Sequence, residues 1–333
     1  MLTSDVFLGH KKTPKFLCNI LEMVGNTPLV RFSFDVQSCK INLFAKLEYF
    51  NPTGSVKARA ANYILKRLLE EGIITPNTTI VESSSGNFGV ALSAYCKYRQ
   101  LPFVCVVDPF LSPYNQMLMD YYGAKMVRVE KPDANGGYLI SRLEKVQELL
   151  KDIDDIYWIN QYGNPLNAHA YYETLGQEVY DSLEALDYAF IGVSSGGTIT
   201  GLSQRLHEDY PLIQVMAVDV EGSAIFGGPS KKRVIPGIGS SIVPDILKQA
   251  CIDEVVKVSE QDTVLVCMEL LREHFLFLGG SSGSVMAAIQ QHFKQHPTGG
   301  EFNVLAIFPD GGEKYMHTIY NPAWRKQMLG MGS

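Results

Sequence analysis

The chain has 333 residues, of which 46% are hydrophobic and 19% charged. That length and apolar content support about two domains of ordinary size and exclude a disordered chain. With 29 Lys and Arg against 35 Asp and Glu, the formal charge is −6, which argues against a nucleic-acid partner, because such binding rests on a basic face.

The opening residues Met1 to Asp5 lack the basic start and apolar stretch of a secretory signal. No apolar run approaches the ~18 residues that span a bilayer, so the expectation is a cytoplasmic protein without a membrane partner. The six cysteines (Cys18, Cys39, Cys96, Cys105, Cys251 and Cys267) form no C-x-x-C pair. Most lie in apolar runs, and buried reduced thiols are expected.

Along the chain, strand patterns alternate with helical ones. Thr79 to Glu82, Phe103 to Val107, Lys125 to Val129, Tyr157 to Ile159, Tyr188 to Val193, Val215 to Val218 and Val304 to Phe308 read as strands. Between them, Gly86-Asn87 opens a helix through Ala91 to Tyr98. Tyr138 to Leu150 and Thr198 to His207 have helical spacing, and Ser259 is a predicted N-cap for a helix through His274. Apolar strands alternating with helices predict an α/β fold of parallel sheets covered on both faces, with ligands at the carboxyl ends of the strands. The long Glu221–Ser241 loop is predicted to be functional or mobile, and its Lys231-Lys232-Arg233 triplet a solvated edge. Without a polar linker, two domains would be interleaved.

Four loops carry candidate chemistry. In Asn51-Pro52-Thr53-Gly54-Ser55-Val56-Lys57 the turn residues lead into a helix. Lys57 then sits in its first turn, where the dipole disfavours a cation and promotes the neutral, nucleophilic amine. In Ser83-Ser84-Ser85-Gly86-Asn87, hydroxyls and free N–H groups converge at a helix start and suit a carboxylate. In Ser194-Ser195-Gly196-Gly197-Thr198, small residues allow close approach of a phosphate; neither a Walker loop nor G-x-G-x-x-G occurs in the chain. Gly279-Gly280-Ser281-Ser282-Gly283 also fits the G-x-S-x-G nucleophile elbow, with Asp310 and His317 following in the order a serine hydrolase needs. The elbow comes late, however, and Asp310 and His317 are close together in sequence. A binding module with a phosphate pocket is the non-enzymatic rival.

Taken in this order, the four loops resemble those of the fold-type II pyridoxal phosphate enzymes, the family of cysteine synthase and cystathionine β-synthase. The resemblance runs from Val24-Gly25-Asn26-Thr27-Pro28-Leu29 to Phe308-Pro309-Asp310-Gly311-Gly312-Glu313. It implies two interleaved α/β domains of the tryptophan synthase β type: a smaller mobile one over 53–161, and a larger one from 1–52 plus 162–333. It implies pyridoxal 5′-phosphate as cofactor, amino-acid substrates and a homodimer. Lys57 would hold the cofactor covalently, Ser194, Ser195, Gly196, Gly197 and Thr198 its phosphate, Ser281 its pyridine nitrogen and Asn87 its ring hydroxyl. Ser84, Ser85, Gly86, Asn87 and Gln161 would bind the substrate carboxylate. Two positions depart from the common pattern: Ala58 stands where Asp is usual, and Ser194-Ser195 where cysteine synthases commonly have Gly-Thr.

Further motifs are similar to the diaminopropionate branch, whose enzymes join O-phospho-L-serine to L-glutamate in siderophore pathways. They are Glu48-Tyr49, Val107-Asp108-Pro109, the stretch from Pro132 to Tyr138, Trp158-Ile159-Asn160-Gln161-Tyr162 and Gly222-Ser223-Ala224-Ile225-Phe226-Gly227. Glutamate carries two carboxylates, so that reading needs extra cations or donors, and Arg142 and Tyr162 are the candidates. Cysteine synthase and a cystathionine β-synthase-like activity are the alternatives.

Overall fold

A computed structural model describes residues 17–133 and 136–331. The opening segment and Ala134-Asn135 of the Pro132–Tyr138 motif lie outside the described residues. Among the described residues, ten strands form two sheets: β1 (Leu29–Val36), β2 (Cys39–Leu47), β3 (Thr79–Ser83), β4 (Phe103–Val107), β5 (Lys125–Arg128), β6 (Ile156–Trp158), β7 (Tyr188–Gly192), β8 (Gln214–Val220), β9 (Glu254–Val258) and β10 (Gly300–Phe308). The six-stranded sheet has the order β1-β2-β10-β7-β8-β9, and the four-stranded sheet β5-β4-β3-β6. Every pairing is parallel except β1 with β2. The larger sheet thus takes strands from both ends of the sequence, and the smaller one is inserted between β2 and β7.

The helices are α1 (Lys57–Glu70), α2 (Asn87–Tyr98), α3 (Pro113–Tyr121), α4 (Leu139–Asp152), α5 (Pro165–Ala170), α6 (Gln177–Tyr180), α7 (Gly197–Asp209), α8 (Glu260–His274), α9 (Gly280–Gln295) and α10 (Pro322–Leu329). A π-helical turn over Tyr171–Gly176 joins α5 to α6. The continuous apolar strands are central. β4 is buried at every position, because helices cover both faces of a parallel sheet. Ser259 caps α8 as expected, its hydroxyl accepting from the N–H of Asp262. Helix α7 packs so closely on α5 that a Cβ on Gly201 would stand 1.9 Å from the Ala168 carbonyl oxygen, so this contact requires glycine.

Several features differ from the sequence reading. The β1–β2 hairpin, strand β9 and helix α3 were not anticipated. Cys18 and Cys251 are exposed, whereas the other four thiols are buried; all six are free. Arg233 is not a solvated loop edge: it is half-buried and donates to the carbonyls of Gly222 (2.7 Å) and Ser240 (3.2 Å), folding the long loop on itself. Among the described residues, no helix is long and apolar enough to cross a membrane.

Candidate active site

The carboxyl ends of β3, β7 and β10 open on one cavity of about 310 Å³, within the usual size for a small-molecule site. All four loops reach it. Thirteen of the fourteen site residues expected from the sequence line its wall. The exception, Gly197, lies behind it, and a Cβ there would meet the Asn167 side chain at 2.4 Å.

Lys57 is the first residue of α1 and follows Val56, whose N–H is held by the Pro309 carbonyl at 2.8 Å. Its amine donates to the Ser195 hydroxyl at 3.2 Å. Burial lowers its pKa to about 8, against the opposing pull of Asp310. Helix α1 is anchored just beyond this lysine. Arg59 donates to Glu48 at 2.6 and 2.8 Å and to Glu178 at 2.7 and 2.8 Å. Lys46 adds a 2.7 Å bond to Glu178. Two cations therefore meet two carboxylates in the interior, and Arg59 and Glu48 are almost fully buried.

The Ser84–Asn87 loop is strongly organised. The Ser84 hydroxyl accepts from the N–H groups of Gly86 (3.3 Å) and Gly89 (3.0 Å). The Ser85 hydroxyl accepts from the Asp108 N–H at 2.9 Å and from Arg142 at 3.2 Å. Arg142 also pairs with Asp108 at 3.1 Å, and its Nε is buried without a partner. Gln161 is fixed by its N–H to Glu82 (3.1 Å) and by its side-chain amide to the Ser83 carbonyl (3.1 Å). Tyr162 lines the same wall, and burial raises its pKa.

Across the cavity, Gly196 has φ +87° and caps α7. This left-handed turn suits glycine and turns the first N–H groups of a 13-residue helix, which have no partner within it, toward the cavity. The hydroxyls of Ser195 and Thr198 flank them. At the fourth loop, Ser281 Oγ lies 3.5 Å from Asp310 Oδ1. Gly279 must lack a side chain, because a Cβ would fall 1.9 Å from the same carboxylate oxygen.

Three contributors escaped the sequence reading as site residues. Asp310, wholly buried, accepts from Asn87 at 2.7 Å and from the Tyr315 hydroxyl at 2.9 Å. Lys314 donates to the side-chain carbonyl of Asn87. Burial raises the pKa of Asp310 and lowers that of Lys314. Glu82 lies behind the Ser84–Asn87 loop, where burial raises its pKa to about 7 despite N–H bonds from Ser83 and Gln161. The Asp-Gly-Gly-Glu-Lys run after β10 was the available signal for the first two, since it occupies the carboxyl end of a central strand.

The serine hydrolase reading fails on this geometry. His317 is exposed, and no histidine among the described residues lines the cavity beside Ser281. What remains is an enzyme site built on a half-buried lysine of lowered pKa facing a helix N-terminus that suits a phosphate. The chain matches the family described as pyridoxal-phosphate dependent enzyme over residues 20–310, and it belongs to that family. Among solved structures it is similar to the O-acetylserine dependent cystathionine β-synthase of Helicobacter pylori, with 32% identity and a TM-score of 0.84, over 92% of this chain and 99% of that one. A hydrogen sulfide-producing enzyme of Fusobacterium nucleatum aligns with 27% identity and a TM-score of 0.81, over 90% and 100%. O-ureido-L-serine synthase, solved with O-ureido-L-serine bound, aligns with 28% identity and a TM-score of 0.82, over 96% and 100%. The fold is that of the fold-type II enzymes, and pyridoxal phosphate is the cofactor.

Proposed function

We propose that the enzyme carries out β-replacement on an activated serine, joining O-phospho-L-serine to L-glutamate with release of phosphate. The product, N-(2-amino-2-carboxyethyl)-L-glutamate, would feed 2,3-diaminopropionate for a siderophore or a related metabolite. The observation that carries this reading is Arg142. Its guanidinium lines the cavity beside the Ser85 hydroxyl, and its fixed charge suits a phosphate or a second carboxylate. Among the described residues lining the cavity, Lys57, Arg142 and Lys314 stand against one carboxylate, that of Asp108, which favours a substrate of several negative charges. Two structural neighbours are named for serine derivatives bearing a group on Oγ.

The residues fit the cofactor. Lys57 would hold it covalently, Ser194 to Thr198 its phosphate, Ser281 its pyridine nitrogen and Asn87 its ring hydroxyl. When bound, pyridoxal phosphate supplies the electron sink that makes the Cα proton of an amino acid removable. Lys57 would take that proton, and its lowered pKa raises the fraction of neutral amine available as base. Ser281 is a neutral partner for a ring nitrogen and does not hold a proton there as a carboxylate would, which disfavours side reactions such as transamination. Ser84, Ser85, Asn87 and Gln161 would orient the substrate carboxylate, fixing one end of the reacting unit while Arg142 and Tyr162 take the second substrate.

With O-phosphoserine and glutamate, mass spectrometry is expected to show the coupled product together with free phosphate. Arg142→Ala should raise KM for one of these substrates about 10- to 100-fold, the loss of a charge-assisted hydrogen bond. Turnover of O-acetylserine with sulfide should change far less. A product formed only from O-acetylserine and sulfide would replace this reading with cysteine synthase. The pairing of Arg142 with Asp108 favours that second reading, because the guanidinium is already partly neutralised.

We further infer that 53–161 is a smaller domain which moves toward the rest of a homodimeric enzyme when an amino acid binds, excluding water from the reaction. The Asn87 contacts to Asp310 and Lys314 join that segment to the rest of the chain. Crystal structures with and without bound O-phosphoserine should differ in the separation of the Ser84–Asn87 and Ser194–Thr198 loops. An unchanged separation, with no change in solution scattering, would remove closure from the scheme.

A further inference from the structure

The far end of α9 carries a second cluster of chemistry-bearing side chains. Helix α9 begins at the active site with Gly280 and Ser281 and ends at Gln295, after 16 residues. His292 lies in its last turn and His296 is its C-cap. A spacing of four places both imidazoles on one face of the helix. Glu254, the first residue of β9, stands opposite. One donor atom from each of His292, His296 and Glu254 lies within 4.8 Å of the others. The cluster is separated from Ser281 by about 20 Å of helix at the α-helical rise, and none of its members lines the catalytic cavity.

From this juxtaposition we propose that His292, His296 and Glu254 bind a divalent transition-metal ion of the zinc class. Two imidazoles and a carboxylate are a donor set for such ions, completed by water in the fourth position. The three residues divide the work. His292 is the fixed ligand: it is 7% exposed and held among aromatic rings, with centroids 5.4 Å from Tyr188, 5.7 Å from Phe190 and 5.1 Å from Phe293. Burial lowers its pKa, which favours the neutral, ligating imidazole. Its Nδ1 already stands 3.8 Å from a Glu254 oxygen. His296 and Glu254 are exposed and free to rotate the remaining distance toward a common ion. The negative end of the α9 dipole adds attraction for a cation. A bound ion would tie the last turn of α9 to the start of β9, and Gln291 already donates to the Lys257 carbonyl further along that strand at 3.3 Å.

The test uses the tag-free holoenzyme with Cys18 and Cys251 both replaced by serine, because exposed thiols also bind zinc. Zn²⁺ is titrated by calorimetry and Co²⁺ by its visible absorption. One equivalent of Zn²⁺ should bind and raise Tm by about 3–6 °C at a large excess over Kd. His296→Ala and Glu254→Gln, two surface changes remote from the catalytic cavity, should each weaken Zn²⁺ about 10- to 100-fold and abolish the tetrahedral Co²⁺ spectrum. β-Replacement without added metal should stay as in the parent. Affinity unchanged by His296→Ala, or no saturable binding in the parent, would overturn the assignment.

Discussion

Lys57→Ala is expected to lower turnover by about 10³-fold or more, the loss of both covalent attachment and the general base. The variant should release its chromophore on dialysis, and borohydride should fix no pyridoxal to the chain. The basis is position: among the described residues lining the cavity, Lys57 has the amine beside the Ser194–Thr198 turn. Lys314, the other lining lysine, is engaged with Asn87 and the Gly54 carbonyl. A Lys57→Ala protein that retained a reducible, covalently held chromophore would transfer the role to Lys314 and defeat the assignment.

The second large effect is on stability. Arg59→Ala should destabilise the protein by about 3–5 kcal/mol, the range for removing one partner from a buried ion pair. Glu48 would then be left charged and fully buried. Burial works against charge throughout this cluster, yet Arg59 and Lys46 overcome it at Glu178 and hold its pKa at about 2. A carboxylate with a depressed folded pKa stabilises the fold above its unfolded value, near 4.5. That contribution is lost as pH falls through the folded value. Wild-type stability should therefore fall between about pH 4.5 and pH 2 more steeply than that of a Glu178→Gln variant, as read by urea unfolding across that range. An Arg59→Ala midpoint corresponding to less than about 1 kcal/mol would show that the cluster relaxes or admits water. Because Arg59 lies two residues after Lys57 in the first turn of α1, cofactor retention is a second readout. Loosening the clamp should weaken it even where the fold survives.

The parallel core and the loops were legible because each has a local cause. Continuous apolar strands announce burial on both faces, and glycine with hydroxyl-rich turns announces close approach at a helix start. Edge elements were harder. β1 alternates half-buried and exposed residues, and β9, Glu-Val-Val-Lys-Val, is short and carries charge at its solvent positions. Neither produces the apolar run that identified the central strands. Helical spacing identified α4 but could not decide whether Arg142 faced water or the cavity; its contacts to Ser85 and Asp108 come from loops 57 and 34 positions earlier. The partners of Asn87 were still less accessible, since Asp310 and Lys314 lie more than 220 positions away. The resemblance supplied the list of site residues, whereas the fold alone shows which of them already have partners.

For Asn87 that distinction changes the meaning of binding. Its amide donates to Asp310 and its carbonyl accepts from Lys314, so both ends of the side chain have partners within the chain. A ligand that engages Asn87 therefore displaces a partner instead of filling a vacancy, and its apparent affinity is a difference between two sets of hydrogen bonds. The released carboxylate and ammonium must find new partners or water within a largely enclosed space. Any ligand that draws on Asn87 would thereby shift the protonation of Asp310 and Lys314, whose pKa values burial already moves in opposite directions.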